Sequence, residues 1–350
     1  MSGSIRVGTS GWSYPTGKGT WNGIFYPTAS DRQRPGHANG PPPPQRAFSE
    51  VSPEPASPSV RTEADGAKPP GLKFDELAFY AEHFDTVEVN SSFYRVPTPE
   101  TTRAWVRRTP RDFEFSLKLY QKFTHPEMFH KATGKDPADI DRADVDEFRA
   151  AVDPLARAGK LGALLAQFPA SFKNGPDSRG YLEWLLDAFK DYALAVELRH
   201  RSFSDDPGTL HLLGEHGAAL VQIDEPRFRF SIRQNRLPNV PTFYYMRLHG
   251  RNAAQWWTHE KSEDRYNYLY SASELEPIVE AAEEASREVR KAYVYANNHF
   301  SAKSVATAAT IKHKLGQPLD GEYPESFVEQ FPDLKGLVRI LPTRPSDTLV

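Results

Sequence analysis

The sequence predicts an α/β fold, a single-domain (β/α)8 TIM barrel, on three observations. Eight short apolar runs read as strands, helix-like stretches separate nearly all of them, and no glycine-rich phosphate loop follows the first strand. The last point disfavours an open doubly wound sheet, the structural alternative.

The first strand is IRVGT (5–9), followed by an aromatic loop holding Trp12, Tyr14, Trp21, Phe25 and Tyr26. Residues 28–71 then hold ten of the thirty prolines and almost no large apolar residue, so they cannot bury enough surface to offset chain entropy. This stretch reads as a disordered, proline-rich insertion in the first βα loop. It does not divide the chain, because one strand and a loop are too little for a core. The domain is therefore 1–27 with 72–342, and 343–350 is a flexible tail. The alternative is a proline-motif ligand for an unidentified protein partner, and a tolerated insertion is the simpler reading. Deleting 28–71 is expected to leave the cooperative melt within about 2 kcal/mol of the parent, and a larger loss would mean that the segment packs on the barrel.

Beyond the insertion, FDELAFYAEHF (74–84) has helical periodicity, and FDTVEVN (84–90) is a strand by its alternating valines. PETTRAWVRRT (99–109) is helical, with proline at its first position, before the strand FEFSLKL (113–119). The helical ADVDEFRAAVDPLARAG (143–159) precedes the strand GALLAQF (162–168), and YLEWLLDAFKD (181–191) precedes ALAVELR (193–199). GTLHLLGEHG (208–217) leads to AALVQID (218–224), the sixth strand. FRFSIRQNRLPNVP (228–241) shows no clear helix before the seventh, FYYMRLH (243–249). SELEPIVEAAEEASREV (273–289), AYVYANN (292–298) and SAKSVATAATIKHKLG (301–316) complete the alternation.

In a barrel one face of each strand meets the helices and the other the lumen. With the apolar set of each strand outward, Glu88, Asn90, Lys118, Glu197, Arg199, Arg247, His249 and Asn297 turn inward, and the same logic places Gln222 and Asp224 inside. Gln167 is a further member. All stand near the C-terminal ends of their strands, where barrel enzymes carry their active sites. A buried salt-bridge network that merely closes the barrel top is the competing reading. Buried ions are costly to desolvate, and so many on several strands favour a ligand site.

The runs RVGTSGWSY, FYP (25–27), YAEHFDTVEVNSSFYRVP, WVRRTPRDFEFSLKLYQKFTH, LGALLAQFPASF, VELRHRSF, YYMRLHGR, YNYLYSASEL and YANNHFSAKSVATA resemble the domain of unknown function 72 family, also called YecE-like. They span most of the chain from Ile5 to about residue 335, and their number and order make the resemblance specific. It implies a (β/α)8 barrel and supplies no established reaction. The chain departs from the family pattern in the 28–71 stretch and at Phe203, where a tryptophan is common.

Glu88 and Glu197, three strands apart, suit the acid and base of a hydrolase-like reaction, with His249 as a third catalytic candidate. Alternatively, both glutamates are neutralised partners of Lys118, Arg199 or Arg247. Asn90, Tyr94, Lys118, Gln167, Arg199, Asp224, Arg247, Asn297 and Trp12 are the candidate binding residues. Arginine forks suit phosphate or carboxylate, amides orient hydroxyls, and Tyr94 with Trp12 offers stacking surface. A small polar, anionic ligand, phosphorylated or sugar-like, fits this inventory best. No cofactor is expected. A divalent metal on Glu88, Glu197, Asp224 and His249, as in isomerases or phosphodiesterases, is the alternative, opposed by the three cations of the same ring and by the lack of HxH or HExxH spacing. A non-catalytic barrel that binds a ligand or nucleic acid is a third reading. The net charge of −3 argues against a dedicated nucleic-acid binder, although a local basic patch would escape that count. His299 and Ser301 read as turn or cap formers at the start of the last helix.

With no cysteine, thiol nucleophiles, thiolate metal sites and disulfides are excluded. No apolar run reaches the roughly 18 residues that cross a membrane, and the first strand begins too early for a signal peptide, so the expected location is cytoplasmic.

Overall fold

The computed structural model describes residues 2–28, 74–134, 140–254, 256 and 265–341. The expected insertion, apart from Thr28, and the expected tail lie outside the described residues.

The strands are β1 (Ser4–Ser10), β2 (Thr86–Val89), β3 (Glu114–Lys118), β4 (Leu161–Gln167), β5 (Leu194–Glu197), β6 (Ala219–Leu220), β7 (Gln222–Asp224), β8 (Phe243–Leu248) and β9 (Lys291–Ala296). All neighbours are parallel, in the order β6-β5-β4-β3-β2-β1-β9-β8-β7. β6 and β7 are halves of the expected sixth strand. Ala195 pairs with Ala219, Val221 N–H donates to Val196 C=O at 2.9 Å, and Gln222 pairs with Met246. The chain thus changes partner from β5 to β8 within one residue, which closes the sheet into the expected barrel.

Helices form where the periodicity lies and start where side chains can cap them. Asp75 accepts from Ala78 N–H ahead of Glu76–Ala81, and Thr98 from Thr101 N–H ahead of Pro99–Arg107. Asp141 with Asp144 and Ser271 with Glu274 form capping boxes at Arg142–Arg157 and Ala272–Glu288. Each box satisfies two backbone donors that the first helical turn would leave free. No helix spans 225–242, and there the barrel wall is covered by polar loop.

That loop reverses one expectation. In register, Gln222 and Asp224 align with Met246 and Leu248 on the outward face, whereas Ile223 aligns with Arg247. Gln222 Oε1 accepts from Arg236 N–H at 2.8 Å. Asp224 accepts both arms of the Arg251 fork at 2.8 Å and the Tyr270 hydroxyl at 2.9 Å. Asp224 is therefore not part of the lumen. The apolar-outward rule assumes a helix outside, and a loop supplies backbone N–H, arginine and tyrosine donors instead.

The lumen is filled by stacked polar layers. At the N-terminal end Glu114 accepts from Tyr293 Oη at 2.6 Å and Lys291 Nζ at 2.5 Å. In the middle Tyr295 Oη meets Thr86 Oγ1 at 2.7 Å and Ser116 Oγ at 3.0 Å. A Cβ on Gly8 would fall 2.2 Å from Thr86 C=O, so β1 and β2 approach this closely only with glycine there. The outward residues Val87, Phe113, Phe115, Leu117, Leu119, Val196, Leu198 and Leu248 belong to the buried apolar core that binds sheet to helices.

Candidate functional site

The candidate site lies at the C-terminal end of the lumen, and Arg247 is its hub. Tyr245 and Arg247 alternate inward along β8, so the guanidinium reaches across the barrel. Its Nε and Nη2 form a fork on Glu88, at 2.9 and 2.6 Å, while Nη1 donates to Glu197 Oε2 at 2.6 Å and Gln167 Oε1 at 2.9 Å. Glu88 also accepts Ser10 Oγ and Tyr245 Oη, each at 2.7 Å. Glu88 thus takes four donors in full burial. Glu197 Oε1 accepts Arg199 Nε at 2.8 Å and lies 2.6 Å from its Nη2. Burial alone would raise the Glu197 pKa, but Arg247 and Arg199 outweigh it and hold this carboxyl well below its usual value.

Above this layer His249 lies 3.5 Å from Glu197 Oε1, and its Nδ1 is 2.8 Å from Asn297 Nδ2. Burial is the largest cause bringing its pKa down to about 4, so the ring is neutral at pH 7. Glu88, Gln167, Glu197, Arg199, Arg247, His249 and Asn297 are therefore joined in one network, as the alternation predicts.

Lys118 differs from the other cations. Arg247 and Arg199 have taken the carboxylates, and Lys118 Nζ has no hydrogen-bond acceptor among the described residues. It lies instead 3.9 Å from the centre of the Phe93 ring, on a half-buried side chain. Burial, then Arg247, lower its pKa to about 7, against the opposing pull of Glu197 and Glu88. Asn90, at the start of the turn Ser91–Tyr94, has a buried Oδ1 without a hydrogen-bond partner. Tyr94 is 69% exposed beside Phe93 and stands free at the rim.

Trp12 is not a mouth residue. It packs edge-on against Trp105 at 5.4 Å and Phe115 at 6.5 Å, on the outward face of β3. Trp21, Phe25 and Tyr26 are fully buried. The aromatic loop is thus largely core, because its rings find a larger apolar surface between sheet and helices than over the polar lumen. His299 stacks on Tyr14 at 4.6 Å. Ser301 does not cap the last helix: it and Ala302 have left-handed backbones, and the helix Lys303–Lys314 starts without a side-chain cap.

Sequence reasoning missed several neighbours. Ser10 ends β1 in register with Glu88, and Tyr245 precedes Arg247 by two, so strand alternation carried both signals. Glu225, just past β7, lies 3.2 Å from Arg199 Nη1, in a geometry that leaves its Oε2 without a hydrogen bond, and burial raises its pKa. Arg265 lies over Trp256 at 5.5 Å with its buried Nε unpartnered. His125 packs edge-on against Phe93 at 4.9 Å. These last three sit in loops, where no periodicity orients a side chain.

Among the described residues no group of three or more histidines or acids is arranged to hold a metal ion, and no helix is long and apolar enough to cross a membrane.

Fold and site together define a (β/α)8-barrel protein with a saturated carboxylate–arginine network beneath its C-terminal mouth. The chain belongs to the family described as protein of unknown function DUF72, whose model matches residues 63–327. It is 29% identical over 260 residues to the UPF0759 protein YunF of Bacillus subtilis (strain 168), covering 71% of this chain and 88% of the relative. It is 32% identical over 133 residues to the UPF0759 protein YecE of Escherichia coli (strain K12), covering 38% of this chain and 44% of the relative. Among solved structures, a DUF72 family protein from Thermotoga maritima MSB8 matches with a TM-score of 0.66 and 29% identity, over 90% of this chain and all of that one. Another from Enterococcus faecalis V583 matches with a TM-score of 0.64 and 27% identity, over 71% of this chain and 91% of that one.

Proposed function

We propose that the protein is an enzyme that takes a small anionic ligand, phosphorylated or sugar-like, at the C-terminal mouth of the barrel. Lys118 is the group that meets the ligand. The observation that carries this reading is the unpartnered Lys118 amine above a network in which every other central cation is matched by a carboxylate. Arg265 adds a second cation with an unused donor. An arriving anion gains a charge-assisted contact with Lys118 without breaking an existing pair.

The roles expected for the glutamates change with this geometry. Glu88 has four donors on its two oxygens, and Glu197 is held ionised by two arginines, so both act as the counter-ions of Arg247 and Arg199. The side chains free to exchange protons with a ligand are Lys118, with its pKa near 7, and the raised carboxyl of Glu225.

Inorganic phosphate is expected to raise the melting temperature of the parent protein, and Lys118→Met is expected to weaken that binding about tenfold or more, the worth of one hydrogen bond to a charged group. The variant itself should fold normally, since it replaces an unpartnered amine by an apolar chain of similar length. Equal phosphate stabilisation of parent and variant would place the anion elsewhere and overturn the reading.

A further inference from the structure

Every carboxylate in the central layer is already occupied, and this gives Lys118 an unusual position among the cations of the barrel. Glu88 is forked by Arg247, Glu197 is shared by Arg247 and Arg199, and Arg199 continues to Glu225. The amine of Lys118 is left with an aromatic face on one side and fixed guanidinium groups nearby. Burial and neighbouring cations both penalise an ammonium ion, by more than the face of the Phe93 ring favours it, and both are ways in which proteins keep a lysine amine neutral and nucleophilic. Asn90, with its unused Oδ1, directly follows the adjacent strand β2, and the half-buried Lys118 side chain retains access to solvent.

We infer that Lys118 is an imine-forming catalytic residue, and that the substrates are small aldehydes or ketones carrying a phosphate or carboxylate group. This inference rests on the anion-binding mouth proposed above. The amine nitrogen attacks the carbonyl carbon, forming a C–N bond while the C–O π pair moves to oxygen. A proton passes from nitrogen to that oxygen, giving a carbinolamine. Loss of the second N–H proton to the departing oxygen completes a C=N bond and releases water, so the two amine hydrogens leave with the carbonyl oxygen and no oxidant or reductant is consumed. With a pKa near 7, a large fraction of Lys118 is free amine at neutral pH, whereas ordinary lysines are almost wholly protonated.

The test is reductive trapping on the full chain at pH 7. Glyoxylate, an aldehyde with a carboxylate, is added with cyanoborohydride, and the sites of carboxymethylation are mapped by peptide mass spectrometry. Lys118 is expected to be labelled about tenfold or more faster than exposed lysines such as Lys190, as its larger free-amine fraction requires. Inorganic phosphate should slow that labelling. Lys118→Arg keeps the charge but cannot form the imine, so it should lose the label and keep the phosphate-induced rise in melting temperature. Labelling spread over the lysines without preference for Lys118, with the phosphate effect intact, overturns the imine and leaves the anion site standing. Preferential labelling of Lys118 that phosphate does not slow supports the reactive amine and counts against the anion-binding reading.

Discussion

Arg247→Met is expected to destabilise the protein by about 3–5 kcal/mol, the cost of leaving buried charges without their partner. Arg247 is 1% exposed and Glu88 and Glu197 are fully buried, so neither carboxylate can turn to water when the guanidinium is removed. Arg199 still neutralises Glu197, whereas Glu88 keeps only Ser10 and Tyr245 as donors, which makes Glu88 the larger source of the loss. Adding Glu88→Gln and Glu197→Gln to Arg247→Met should therefore recover much of the stability, because the triple variant buries fewer unmatched charges. Urea melts of parent, single and triple variants measure this. A single variant as stable as the parent would show that the network does not hold the barrel top.

Acidification is expected to unfold the protein well before its carboxylates are fully protonated. Burial, the largest cause in each case, brings the pKa values of His83, His249 and His299 down to about 4 and that of His125 to about 3. In the unfolded chain they titrate near 6.5. Each depressed histidine thus contributes stability that is complete above that value and is lost as pH falls through the window down to about 4, or about 3 for His125. Over most of its window each costs up to about 1.4 kcal/mol per pH unit. Asp85 and Glu225, whose pKa values burial raises, oppose this slope, and two groups do not offset four. Lys118 acts in a different window: its depressed pKa makes stability rise from about pH 7 toward its unfolded value. Urea melts between pH 7 and 5 should show the decline, and His299→Phe should remove about one proton from the slope while keeping the ring that stacks on Tyr14. A flat profile across that interval would mean that these rings are protonated in the fold.

The inward set of β2, β3, β5 and β8 was legible in the chain, because strand side chains alternate and the apolar half must face a helix. That rule turned Glu88, Lys118, Glu197 and Arg247 to the lumen. It failed at Asp224 for the same physical reason, since the outer cover there is a loop with arginine and tyrosine donors. The mouth assignment of Trp12 failed because an aromatic loop leaves open which apolar surface it will cover, and Trp105 and Phe115 offered the larger one. Glu225, Arg265 and His125 had no periodic signal at all.

Strand order, the barrel class and the chemical types gathered at its mouth are local properties of the chain, set by side-chain period and by the lengths of apolar runs. Which carboxylate pairs with which cation is decided only when the barrel closes, because Glu88 and Arg247 are 159 residues apart and meet across the lumen. Two arginines, with planar multidentate forks, saturate the acids there, and the shorter point charge of Lys118 is left over. The sequence contains all three cations as equals, and the tertiary structure alone distinguishes the two that hold the barrel together from the one that faces the mouth.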